Sequence, residues 1–388
     1  MRKGKVCMVV NNKIKFDSRV LREASSLSKV GFEVVVYCLK GQEPTDFKIF
    51  KVKELDIKNF SPVRINGFKF FSQFSPALRE ITKEKAQIYH AHDLDTLIIT
   101  WLAANKNHAE LVYDAHEYWP GKTFIFYNII HRSLHFIKKL EYYMTEKFLI
   151  KRADLVITVN DSIADLLSKY YKIPRPLVIY NYPMVKSKIK LRNDYLRKRL
   201  NLSDKDKIAL YLGGINKYRG LENLIKCIHF LPTNIKIVIV GYGYLKQRLI
   251  NMINELSLKK RIYILDAVKP KEIMDLASSA DLGVSPIQNA SVSYYYSSPN
   301  KVFEYLASAL PIAVSNFPEM EKIVEENKVG LTFDPEDPKD IARTVKEILS
   351  DETRYKQMRE NAFKVAREKY NWELEEKKLI NLYRGLLN

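Results

Sequence analysis

The stretch SSPNKVFEYLASALPIAVS, residues 297–315, sets two serines, a proline and an asparagine ahead of a helical pattern carrying Lys301 and Glu304. Ser298 has the chemistry of an N-cap and Pro299 suits a first helical position, so the spacing predicts a helix beginning at Pro299. Such a start leaves amide N–H groups unbonded at the positive end of the helix dipole, which suits an anion. At about 100° per residue, Lys301, Glu304 and Ser308 share one face, opposite Val302, Phe303, Leu306 and Leu310. An anion would meet the turn of Ser298, Pro299 and Asn300 first, with Lys301 beside it. One turn deeper, the Glu304 carboxylate can accept two hydrogen bonds from a vicinal diol. Phosphate at the amides and ribose hydroxyls at the carboxylate together describe a nucleoside diphosphate. The plainer alternative is a surface helix with a Lys301–Glu304 pair worth roughly a few tenths of a kcal/mol.

A second anion site is expected in LGGINKYRGLENLI, residues 212–225. Gly213 and Gly214 close a strand, and Arg219 with Gly220 leads into a helix, where a guanidinium can take a diphosphate through two hydrogen bonds. The same glycines would also serve simple strand–helix turns. No G-x-x-x-x-G-K-[ST] is present, and GYGYLK (241–246) places Lys246 where a dinucleotide fingerprint needs its third glycine, which disfavours dinucleotide oxidoreduction. In HAHD (90–93), His90 and His92 are expected to point to opposite faces of a strand end, with His90 a core histidine. Asp93 and Asp95 form a D-x-D that reads as acids in the first turn of a helix, not as metal ligands. A zinc site lacks a third ligand that the sequence can place, so no metal is expected. His116 follows the strand-like LVYDA at a position where ligands gather.

Short apolar runs that alternate with amphipathic helical patterns must position these residues. KVCMVV, FEVVVYCL, AQIYHA, ELVYDA, DLVITV and PLVIYN lie in the first half. KIALYLG, IKIVIVG, RIYILD, DLGVSPI, PIAVS and VGLTF lie in the second. Near-continuous apolar strands between helices indicate parallel sheets covered on both faces, hence an α/β chain of two Rossmann-like domains. The expected domains are 1–182, 183–368, and a last helical stretch, 369–388, that returns to the first. The unusual residues fall repeatedly after strands: Asn12, His92, Asp93, His116, Gly214 and Ser298. Ligands of parallel sheets bind at those carboxyl ends, which implies a cleft between the two domains.

At 388 residues the chain exceeds one compact core. Its 46% hydrophobic and 28% charged content describe a soluble globular protein, and no apolar run reaches a membrane span. Three cysteines cannot build a disulfide framework, which suits a cytoplasmic protein. The net charge of +19 is concentrated in residues 1–200, with 36 Lys+Arg against 20 Asp+Glu. No zinc spacing, ribonucleoprotein signature or basic recognition helix accompanies it, so nucleic acid is not the expected partner. The segment 124–152 mixes aromatic, apolar and basic residues at helical spacing, and 186–200 is strongly basic. Both suit an anionic membrane surface, and the first equally suits a core helix with a basic outer face.

Taken together, DSRVLREASSLSKVGFEVVVYC, YHAHDLD, LVYDAHEYW, YLGGINKYRGLENLI and SPNKVFEYLASALPIAVS resemble family 4 of the glycosyltransferases, retaining enzymes of the two-domain GT-B fold. The resemblance implies a donor site in the second domain for a UDP- or GDP-linked sugar, and a first domain that binds a saccharide or lipid-linked acceptor. By position, Glu304 resembles the ribose-binding glutamate, Arg219 the basic residue on the diphosphate, and the turn from Ser298 to Lys301 the phosphate-facing helix start. Gly214 belongs to the same donor site. Val268 lies in the loop expected to meet the base. His116 resembles the histidine that reaches the donor sugar, so His116 and Arg219 are the expected catalytic residues. Asn12, His92 and Asp93 are the expected acceptor contacts. No cofactor beyond the sugar nucleotide is implied, and the expected location is the cytoplasm, with peripheral association at the inner face of the cytoplasmic membrane as a further expectation. Three positions depart from the pattern. Tyr296 stands where the first of two spaced glutamates is usual, Gly214 where an arginine is frequent, and NNKIKFDS (11–18) replaces a glycine-rich loop. Another sugar-nucleotide enzyme, such as an epimerase, or a non-catalytic nucleotide-binding subunit is the alternative.

Overall fold

The structure, a computed structural model, describes residues 4–14, 17–41, 49–57, 67–121, 140, 142–185 and 193–387, with the side chains of 67–73 and 271 excepted. Most of the basic aromatic segment 124–152, and residues 186–192 of the second basic stretch, lie outside the described residues.

Two compact units are formed, one by Met1–Asn181 with Glu375–Asn388, the other by Tyr182–Leu374. The first contains β1 (Lys5–Val10), β2 (Glu33–Leu39), β3 (Lys51–Leu55), β4 (Ile88–His92), β5 (Glu110–Ala115), β6 (Leu155–Thr158) and β7 (Leu177–Val178). They lie in the order β3-β2-β1-β4-β5-β6-β7. The second contains β8 (Lys207–Leu212), β9 (Ile235–Val240), β10 (Ile262–Leu265), β11 (Leu282–Ser285), β12 (Ile312–Ser315) and β13 (Gly330–Phe333). Their order is β10-β9-β8-β11-β12-β13. Every strand pairing is parallel. The cause is legible in β1: Val6, Cys7, Met8 and Val9 are all fully buried, as strands covered on both faces must be.

β3 escapes the sequence reading. Its KVKEL alternates charge with hydrophobe, is partly exposed, and lies at the sheet edge, so it lacks the continuous apolar run of its inner neighbours. The helix Ser18–Lys29 is capped by Asp17, whose carboxylate accepts from Val20 N at 3.1 Å. Gly31, at φ +100°, closes its C-terminal end, with Phe32 N bonding Leu27 O at 3.1 Å. The change from one unit to the other falls between 374 and 375, inside the helix Trp372–Gly385, beyond the expected break at 368/369. Past that point Glu375 accepts from Tyr180 N at 3.0 Å, and the buried Tyr383 hydroxyl meets His90 Nδ1 at 2.5 Å.

Strand order reverses between β1 and β4 in one sheet and between β8 and β11 in the other. These are the switch points at which open α/β sheets gather ligands.

Candidate active site

At the β8/β11 switch point, one buried tyrosine ties the elements together. The Tyr305 hydroxyl accepts from Leu212 N at 2.8 Å and donates to Val284 O at 3.3 Å, so it joins both strand ends to the helix Asn300–Ala307. Its ring fits because position 283 is glycine; a Cβ there would lie 2.3 Å from the ring.

That helix starts one residue later than the sequence predicts. Pro299 is its N-cap, in extended backbone, and Asn300 its first residue. Ser298 is therefore not the cap, and its hydroxyl bonds Glu319 Oε2 at 3.3 Å. Proline cannot offer a capping side chain, so the helix start is left open. Val302 N bonds Pro299 O, while the N–H groups of Asn300 and Lys301 have no acceptor among the described residues. Asn300 is exposed.

Lys301 lies on the inner side. Its side chain is 9% exposed, and Nζ sits 3.6 Å from the centroid of the Tyr211 ring. Gly213, at φ +129°, admits the ammonium, because a Cβ there would approach Nζ to 3.3 Å. Burial and the neighbouring charge of Arg219 hold the lysine pKa well below its ordinary value; Glu304, half-buried one turn on, opposes them only in part. Arg219 is half-buried with its guanidinium 5.1 Å from the Tyr294 ring centroid. Neither cation forms an ion pair with a described carboxylate. Two mutually repelling cations and two open amides at a sheet switch point are costly for the free protein, and an anion relieves them. Gly214 lies beside them, its carbonyl accepting from the Tyr211 hydroxyl at 2.8 Å. Val268 is half-buried in the loop after β10, where the exposed Asp266 pairs with Lys246.

In the first unit, the structure corrects the reading of HAHD. Residues two apart on a strand share a face, and the rings of His90 and His92 stack with centroids 3.9 Å apart. His92 is 1% exposed, with Nδ1 3.3 Å from Asp114 Oδ2. Asp93, at φ +66°, caps the helix Leu94–Asn107; its Oδ1 accepts from Leu94 N and from Trp119 Nε1 at 2.7 Å. Asp95 is held apart from it by Tyr142 and Asn11, so the two acids of the D-x-D have separate tasks. Asn12 is exposed and donates to Asp17 at 2.7 Å.

His116 stands with 23% of its side chain exposed and Nε2 2.9 Å from Asp114 Oδ2. Burial alone would lower its pKa, but the Asp114 charge and hydrogen bond push it up to about 9. Arg19 takes both oxygens of Asp114, through Nε at 2.7 Å and Nη2 at 2.8 Å, and its Nε lies 3.1 Å from Glu23. Third and fourth candidate ligands beside the two histidines do exist, contrary to the sequence reading. Glu23, His90, His92 and Asp114 bring ligand atoms within 4.8 Å of one another. The Arg19 guanidinium already stands among them as a cation, bonded to Asp114 and beside Glu23. Asp114, Arg19 and Glu23 were not singled out in the sequence. Their signal was present: Arg19 and Glu23, four apart, lie on the apolar face of their helix with Val20, Ala24 and Leu27.

The Glycosyltransferase Family 4 profile matches residues 18–182, and the Glycosyl transferases group 1 profile matches residues 193–365. An uncharacterized glycosyltransferase of Methanocaldococcus jannaschii is 25% identical over 314 residues, which is 78% of this chain and 76% of that protein. Sucrose-phosphate synthase from Thermosynechococcus elongatus superposes with a TM-score of 0.77 at 17% identity, over 98% of both chains. HepE of Anabaena, solved in complex with UDP and glucose, gives 0.74 at 14% identity, over 98% of this chain and 100% of its own. At such identities the superpositions speak for the fold, which is GT-B, while the profiles speak for descent. With one profile on each Rossmann-like unit, the chain belongs to the family 4, group 1 glycosyltransferases.

Proposed function

We propose that the enzyme moves a hexosyl unit from a nucleoside-diphosphate sugar to an acceptor hydroxyl with retention of anomeric configuration. The observation that carries the donor assignment is the pair of cations, Lys301 and Arg219, that form no ion pair among the described residues, beside the open start of the helix Asn300–Ala307. The diphosphate is their counter-ion, and Glu304 one turn deeper accepts from the ribose hydroxyls. HepE, with UDP and glucose bound on the same fold, supports uridine diphosphate as the first nucleotide to test.

The bond from the anomeric carbon to the β-phosphate oxygen breaks as the acceptor oxygen bonds to the same face of the sugar. Negative charge grows on the departing diphosphate, where Lys301, Arg219 and the free amides stabilise it by preorganised electrostatics. The acceptor proton passes to the leaving phosphate, so the reaction needs no enzymic nucleophile and no metal. His116 is the further residue assigned a part in turnover. Saccharide or lipid-linked acceptors at the inner membrane face are the proposed setting.

Thermal stabilisation by a panel of nucleoside diphosphates tests the donor reading. UDP or GDP should raise the melting temperature where the nucleosides do not; no response to any diphosphate would remove the assignment. His116→Ala should then lower turnover more than nucleotide affinity. Equal losses in both would take His116 out of the reaction.

A further inference from the structure

Asp114 is fully buried near the end of β5, and its carboxylate is approached from several elements. Arg19, from the helix Ser18–Lys29, holds both oxygens, while His92 from β4 lies 3.3 Å from Oδ2. His116 follows two residues later with Nε2 2.9 Å from the same oxygen. An ionised carboxylate can only accept, so Nε2 of His116 carries a hydrogen in either charge state of the ring. Nδ1 is the atom that remains to vary. It has no partner among the described residues, and the side chain is partly open to solvent.

We propose that Asp114 is a positioning residue: it fixes the His116 ring through Nε2–H and keeps Nδ1 protonated at neutral pH, so that this edge donates a hydrogen bond to a substrate oxygen and does not act as a base. The claim rests on the part assigned to His116 in turnover. Among the described residues, the groups facing the ring act in both directions. Asp114 and Asp93 favour the imidazolium and Arg19 disfavours it. Asp17, the helix cap, interacts favourably with the same charge. Glu23 beside Arg19 offsets part of the arginine's repulsion. His90 stays neutral, pushed well below its ordinary pKa first by burial and then by His92, with Tyr383 on its Nδ1. His92 stands 5.6 Å away, ring centroid to ring centroid. The balance leaves the proton on His116, with a pKa of about 9.

The test is a pH titration of the full-length protein by nitrogen-15 NMR of its histidine rings, the His116 signals being assigned by their loss in His116→Gln. Wild-type His116 should stay protonated through pH 8. Asp114→Asn should move its midpoint towards 6.5, cutting the protonated fraction at pH 7.5 about tenfold, and should move the alkaline fall of kcat by the same interval. A wild-type midpoint at or below pH 7 overturns the proposal whether or not Asp114→Asn folds. An unchanged midpoint in a folded Asp114→Asn overturns it as well. A raised midpoint, together with a His116→Ala variant that turns over normally, overturns only the contact with substrate and leaves the electrostatic coupling standing.

Discussion

Replacing Lys301 by methionine separates what the residue does for folding from what it does for the ligand. The side chain is almost wholly buried, lies over Tyr211, and is repelled by Arg219. Methionine is unbranched and of similar length, so it fills the same channel beside Gly213. The free protein loses a cation–π contact of about 1–2 kcal/mol and is relieved of a desolvated charge that costs several kcal/mol. A net gain of about 1 kcal/mol is the reasonable size, or about 2–4 °C in melting temperature. The diphosphate complex instead loses a charged hydrogen bond of about 1.5–3 kcal/mol, which weakens nucleotide binding by roughly 10–150-fold. Differential scanning fluorimetry without ligand and calorimetry with UDP read the two effects separately. Calorimetry of the wild type adds a sign. Because the free fold holds Lys301 well below its ordinary pKa, the unfolded chain binds more protons, and stability rises with pH towards the ordinary lysine value of 10.5. Diphosphate binding favours the charged form, so a proton change on binding should be an uptake, seen as a buffer-dependent enthalpy. A Lys301→Met protein that melts lower than wild type and binds UDP equally well would refute the reasoning.

Glu304→Ala should weaken nucleotide binding by about 1–3 kcal/mol with little change in fold, and unchanged affinity by calorimetry removes the ribose contact. Tyr305→Phe should strand the Leu212 N–H and the Val284 carbonyl, costing about 1–3 kcal/mol in urea unfolding together with part of the nucleotide affinity; a neutral result means that the switch point is held by other contacts. Leu140, Met144 and Phe148 are exposed at helical spacing beside the exposed Lys147, Lys151 and Arg152, so co-sedimentation should increase with the anionic lipid content of vesicles. Binding that ignores lipid charge would end the membrane-surface reading.

The inner strands were legible because burial on both faces writes itself as a continuous apolar run, and β1 is nothing else. β3 was not, since an edge strand can afford the lysines of KVKEL. The candidates Lys301, Arg219 and Glu304 stand out by type and spacing, but their depths do not: Lys301 reads as the charged face of a surface helix and lies against Tyr211. The misplaced cap has a local cause, because Ser298 had a better partner in Glu319, far along the chain. In HAHD a period-two pattern was read as opposite faces, although the period places both rings together. The Arg19–Asp114 network was the hardest to see. Its members come from a helix and two strands that only the parallel order brings together, and no short motif contains them.

The helix that ends the chain has a consequence for biosynthesis. Leu379 and Tyr383, both fully buried, belong to the unit whose other residues are made before Tyr182. Tyr182–Leu374 is continuous and can collapse as soon as it has emerged, whereas the earlier-made portion must wait, with part of its apolar interior uncovered, for Glu375–Asn388. Nascent chains stalled before Tyr383 should therefore present a finished second half and an unfinished first one.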